Sequence, residues 1–188
     1  MSVQFCLALL ALCSLAAASD PDCKELLKPQ ENRTQVLGKW ILHATVSESN
    51  EVGEKVKVIK SSWIEISDVP GQEALSLRWA DRLSGEKCEY GSVNHTFSPN
   101  ITHVKYDYNS TSYEAAGMYL DTCPDCVVWE DTLTENQKGR TLYILTKTGS
   151  LEAPHMERFK KQAACLNLKS EMYFPETTDL CPDEEGKQ

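Results

Sequence analysis

Between residues 40 and 147 the chain alternates apolar and polar residues with a period of two, run after run, and this pattern limits its fold more than any other feature. Residues 62–67 set Ile64 and Ile66 against Glu65, and residues 74–83 set Leu75, Leu77 and Trp79 against Ser76 and Arg78. Further strand-forming runs occupy 40–46, 88–97, 102–108, 112–121, 126–132 and 140–147. A side-chain period of two belongs to a strand with one face on an interior and the other in water. The breaks carry turn chemistry, at Pro70 and Gly71, Ser84 and Gly85, Ser98 to Asn100, Pro124 and Asp125, and Lys138 and Gly139. Eight short strands at hairpin spacing predict an all-β sandwich or an up-and-down barrel.

One segment reads as a helix. Over 151–166, Met156, Phe159, Ala163 and Leu166 recur at helical spacing. Ser150 is the expected N-cap, and Pro154 falls in the first turn, where a missing N–H costs little. The stripe predicts a helix packed on the outside of the sheet. A last short strand is expected at 172–174, before an acidic tail from Cys181. No repeat or low-complexity linker interrupts the chain, so 20–188 reads as one domain.

The first 19 residues are set apart. An apolar stretch from Phe5 to Leu15 runs into the small residues Ala16 to Ser19, which predicts a secretory signal peptide over 1–19. Cys6 and Cys13 leave with it. Cys23, Cys88, Cys123, Cys126, Cys165 and Cys181 remain, an even set that an exported chain keeps oxidised. Four N-x-S/T sequons, at Asn32, Asn94, Asn100 and Asn109, agree with export to the extracellular space, and the last three suggest a glycan-bearing edge. Cys123 and Cys126 form a lone C-x-x-C, for which a redox dithiol, half a zinc site and a small hairpin disulfide are the options. With no second C-x-x-C and no His at zinc spacing, no metal site is expected.

Charge narrows the function. With 19 Lys and Arg against 28 Asp and Glu, the net charge is −9, which argues against nucleic-acid partners and docking on anionic lipid. No later apolar run approaches the ~20 residues of a membrane span. There is no G-x-G phosphate loop, no G-x-S-x-G and no H-E-x-x-H, so the chain does not read as an enzyme and no cofactor is expected.

Eight strands, one amphipathic helix and a last short strand, with Gly38, Lys39 and Trp40 (GKW) opening the first strand, resemble the lipocalin family and its G-x-W signature. Cys23 ahead of the sequon at Asn32, Cys88 opening the fourth strand, Cys165 at the helix end and Cys181 near the C-terminus are similar to its α-1-acid glycoprotein-like branch. That branch resembles the fish saxitoxin/tetrodotoxin-binding and tributyltin-binding proteins and, more distantly, apolipoprotein M. Two positions depart from the family pattern. Leu120, Asp121 and Thr122 keep only the acid of its T-D-Y-like triplet, and Lys147 stands where Arg commonly covers the signature Trp.

The resemblance implies an eight-stranded up-and-down antiparallel barrel with the helix outside and Trp40 closing its base. It implies disulfides joining Cys23 to Cys165 and Cys88 to Cys181, which leaves Cys123 and Cys126 for a hairpin disulfide. In such a barrel one face of each strand lines a cavity. By parity with Trp40, Leu42 and Ala44 face inward. Ile64 and Ile66 follow, then Leu75, Leu77 and Trp79, then Val127 and Trp129, and Tyr143 and Leu145. On the fifth strand the resemblance puts a basic residue, Lys105, inside the pocket beside Asp107, ready to anchor an anionic or polar group. The opposite register turns Val104, Tyr106 and Tyr108 inward. The implied function is a secreted, monomeric carrier of a small, mainly hydrophobic ligand such as a lipid, steroid, xenobiotic or toxin. The rivals are a protein-binding or immune-modulating module with a filled barrel and a thiol-dependent isomerase.

Overall fold

A computed structural model describes residues 22–85, 87–99, 101–108, 111–133 and 139–183. The expected leader at 1–19 and the sequons at Asn100 and Asn109 lie outside the described residues. Eight antiparallel strands follow one another as β1 (Gly38–Ser47), β2 (Ile59–Asp68), β3 (Leu75–Leu83), β4 (Cys88–His95), β5 (Thr102–Tyr108), β6 (Thr111–Leu120), β7 (Cys126–Leu133) and β8 (Gly139–Thr146). The sheet order is β4-β3-β2-β1-β8-β7-β6-β5. Each strand pairs with its sequence neighbour and β8 returns to β1, which curls the sheet into a nearly closed barrel with its one unpaired seam between β4 and β5. Closure buries the inner faces of the alternating runs without a second sheet, so the barrel and not the sandwich is formed.

Among the described residues four helices flank it: α1 (Cys23–Leu26), α2 (Arg33–Val36), α3 (Asn50–Lys57) and α4 (Ala153–Cys165). The helix α4 lies across the outside of the barrel. Its Phe159 and Ala163 are buried against Ala44, Val46, Val128, Leu142 and Ile144, with Met156 and Leu166 at the margin. Burial of Phe159 alone is worth about 2–3 kcal/mol. Its start differs from the sequence expectation. Glu152, not Ser150, is the N-cap and makes no side-chain cap bond, while Ser150 Oγ shares a hydrogen bond with Thr148 Oγ1 at 2.9 Å. Pro154 is the second helical residue and presents no N–H for the Glu152 side chain to bond, and Ser150 lies two residues outside the helix start.

Two further expectations change. The strand at 172–174 reduces to a single bridge between Tyr173 and Thr45. A β-bulge between Leu42 and Ala44 leaves His43 as the extra residue, since Leu42 faces Leu145 and Ala44 faces Ile144. The bulge reverses parity, so Ala44 turns outward under α4 and not into the cavity.

Among the described residues three disulfides fasten the barrel's additions. Cys23 to Cys165 joins α1 to the end of α4, Cys88 to Cys181 ties the C-terminal segment to β4, and Cys123 to Cys126 closes the β6–β7 connection. The Trp63 indole donates to the Cys181 carbonyl at 2.9 Å, so that segment also covers the outer face of β2.

Candidate functional site

The barrel is closed at one end and hollow above. At the closed end Trp40 is buried and its indole donates to the Val36 carbonyl at 2.8 Å. Lys147 Nζ sits 3.5 Å from the Trp40 ring centroid, the cation–π contact that the resemblance implied. Gly38 has a φ of +107°, and a Cβ there would come within 2.9 Å of that ammonium, which suits glycine to the position twice over. Ile66, Leu75 and Val127 face inward as expected but pack with Trp40 as a solid floor. They support the cavity and do not line it.

Above this floor is a cavity of about 520 Å³. Seven residues expected from strand parity line it: Leu42, Ile64, Leu77, Trp79, Trp129, Tyr143 and Leu145. Both tryptophans lie over glycines. A Cβ on Gly91 would come within 2.0 Å of the Trp79 ring, and one on Gly117 within 2.4 Å of the Trp129 ring. The indoles therefore lie against bare backbone and leave the central volume open. Tyr119, which parity on β6 also supplies, meets Trp129 with ring centroids 4.7 Å apart.

Lys105 is the clear correction. Its side chain is 77% exposed and pairs with Glu114 across β6 at 3.2 Å, while Val104 on the opposite face lines the cavity with Ala115. Removing an ammonium from water costs several kcal/mol, whereas Glu114 meets it at the surface. The described side chains of this strand end at Lys105, so those of Tyr106, Asp107 and Tyr108 are not placed.

The charge inside has the opposite sign. Asp81 and Glu89 stand directly across from each other on β3 and β4, and both line the cavity together with Asp131 on β7. Burial pushes the Asp81 carboxyl up to about 6, with the Glu89 charge adding to it and a Ser62 hydrogen bond opposing. Burial pushes Asp131 up to about 7; Glu130 adds to this and a hydrogen bond from the Trp129 indole opposes it. Asp131 Oδ1 is buried with no hydrogen-bond partner. Lys55 is the basic residue of the lining. Parity carries the signal for these acids, since Asp81 is two beyond Trp79 and Asp131 two beyond Trp129, but an acidic residue is solvated by default and parity alone does not mark it as lining.

The helix α3, unanticipated in the sequence, stands at the open end. Ser49 Oγ accepts from Val52 N at 3.3 Å as its N-cap, and Val52 and Val56, one turn apart, are buried toward the cavity. The capping Ser and the i, i+4 valines were the available signal; Gly53 between them weakened it.

All six cysteines among the described residues are in disulfides, and those residues hold no group of three or more His, Cys, Asp or Glu able to bind a metal. Asn32 and Asn94 are exposed, Asn32 at the start of α2 and Asn94 on β4. No helix among the described residues is long and apolar enough to cross a membrane.

An eight-stranded antiparallel barrel, plugged at one end by a tryptophan under a basic side chain and hollow above it, with a C-terminal helix across its outside, is the lipocalin fold. No family model and no curated protein matches the chain. Solved structures do. The siderocalin Ex-FABP superposes with a TM-score of 0.62 at 19% identity, over 79% of this chain and 99% of its own. The bovine lipocalin allergen Bos d 2 gives 0.62 at 13% identity, over 79% and 97%. The odorant binding protein OBP1 gives 0.63 at 15%, over 80% and 96%.

Proposed function

We propose that this chain is a secreted, glycosylated, monomeric lipocalin of the α-1-acid glycoprotein-like branch, which carries a small, mainly hydrophobic molecule with a cationic group. Steroids, xenobiotics and toxins bearing an amine or guanidinium are the ligand types it favours. The observation that carries the reading is a largely apolar, tryptophan-lined cavity that holds two buried aspartates, Asp81 and Asp131, beside Glu89, which is ion-paired with Lys87 at 2.7 Å. Apolar burial at roughly 25 cal/mol per Å² supplies most of the affinity, and the buried carboxylates select the charge. An organic cation near Asp131 offsets the burial of a carboxylate whose hydrogen bond comes from the Trp129 indole alone among the described residues.

Other observations support the parts of this proposal. The paired cysteines and the exposed Asn32 and Asn94 suit an oxidising, glycosylating route. The GKW signature, the Lys147 contact and the cysteine positions support the branch. OBP1 is an odorant binding protein, and Ex-FABP functions through dual ligand specificities, so barrels of this shape serve as small-molecule carriers. The open cavity disfavours the filled-barrel module, and the paired cysteines disfavour a thiol-dependent isomerase.

The test is a tryptophan-fluorescence titration of the purified secreted protein with alkyltrimethylammonium ions, the matched alcohols and the matched carboxylates. The expected result is saturable quenching with cation above alcohol above carboxylate, lost in a folded Trp129→Ala variant. Preference for the carboxylate, or no saturable response to any probe, overturns the reading.

A further inference from the structure

The deep end of the cavity carries a second polar feature, at the opposite end of β4 from Glu89. His95 ends β4, where it faces Leu75, a residue of the floor packed with Trp40. It lines the cavity and is buried, 6% exposed. Its Nε2 lies 2.9 Å from the Tyr119 hydroxyl, and its ring stands 6.3 Å from that of Trp129. Its Nδ1 is buried with no hydrogen-bond partner. A buried imidazole nitrogen without a partner is destabilising, and because His95 lines the cavity, an occupant of that volume is the group able to supply one.

The neighbours decide what kind. Among the described residues the Tyr119 hydroxyl has one partner, His95 Nε2. If Nε2–H donated to the phenol oxygen, the phenol proton and Nδ1 would both be unsatisfied. With the phenol donating to Nε2, the single proton of a neutral ring sits on Nδ1, and Nδ1 becomes a donor. Burial and the nearby Arg33 charge push His95 down to about 4, so the ring is neutral at physiological pH. Arg33 itself is engaged with Asp68 at 2.7 Å and Glu73 at 3.5 Å and offers little to an incoming anion.

We infer that His95 is a specificity-determining residue at the deep end of the calyx, where Nδ1–H donates to a neutral acceptor oxygen, a carbonyl or ether, on the leading end of the ligand. The inference rests on the carrier reading above and orients its ligand: oxygen end at the floor, apolar body against Trp79 and Trp129, cationic group at Asp81 and Asp131. Glu89 and His95 are six residues apart on one strand, about 20 Å along it, which bounds the length of such a ligand.

The experiment uses two series of alkyltrimethylammonium ions of increasing length, one ending in a methyl ketone and one in the isosteric isopropenyl group. In the wild-type protein the best-fitting ketone is expected to bind about tenfold tighter than its alkene twin. In His95→Phe the two are expected to bind equally, with the alkene unchanged. Should that variant fail to fold, 15N-histidine spectra of the wild-type protein give a second reading, with the His95 Nδ1 resonance moved by the ketone and not by the alkene. Equal affinity for ketone and alkene at every length overturns the inference and leaves the carrier reading standing. Tighter binding of a carboxylate-ended cation than of the ketone overturns the neutrality of the group. Failure of every cation in both series overturns the carrier reading itself.

Discussion

Lowering the pH from 8 to 5 should weaken the binding of an organic cation by up to two orders of magnitude. The reasoning begins with Asp131, which burial pushes up to about 7, and Asp81, pushed up to about 6. A cation binds the carboxylates and competes with protons for them, so its affinity follows the ionised fraction. For Asp131 that fraction falls from about 0.9 at pH 8 to about 0.01 at pH 5, a loss of about 90-fold if the ligand requires that charge. For Asp81 the same interval costs about 11-fold. The assay is calorimetric titration with an alkyltrimethylammonium ion in buffers of different ionisation enthalpy, which reads affinity and proton release together. Near pH 7, binding should release about half a proton from Asp131. The neutral alcohol should bind equally at both pH values, and Asp131→Asn should flatten the cation's profile. A cation affinity that is constant between pH 5 and 8, or an alcohol whose affinity falls in parallel, refutes the assignment of these carboxylates.

The same shifts fix the sign for stability without ligand. Raised aspartate pKa values mean that the native state holds more protons than the unfolded chain between about pH 4 and 7. The contribution of Asp81 and Asp131 therefore falls as pH rises through that window, and chemical denaturation should show Asp131→Asn gaining stability relative to wild type at pH 8 but not at pH 4. Gly91→Val should expel Trp79 from its place over the strand, seen as a shifted tryptophan emission and a weaker affinity for all apolar probes. Lys105→Ala should leave ligand affinity within about twofold, because that side chain faces water; a large loss would return it to the cavity. Phe159→Ala should cost about 3–5 kcal/mol of unfolding free energy by urea titration, through the cavity left between α4 and the barrel.

Much of the molecule follows from local pattern. Alternation along 62–67, 74–83 and 126–132 marks strands whatever their neighbours, because the side-chain period of a strand is a property of its own backbone. The family resemblance put GKW at the barrel base, and parity along the strands pointed to seven of the lining residues. The spacing of Met156, Phe159, Ala163 and Leu166 announced α4 and its buried stripe. What alternation leaves open is which of two faces is the inner one. Lys105 and Val104 exchange roles on a shift of one residue, and the choice was made by Glu114 across the strand pair and by the cost of desolvating an ammonium. The bulge at His43 turned Ala44 from the cavity to α4, a reversal set by the pairing with β8 and invisible in an unbroken apolar run. The sign of charge in the cavity and the meeting of His95 with Tyr119 depend on strands far apart in the chain. They belong to closure of the barrel, which alone decides which distant polar groups share one dry volume and which keep their water.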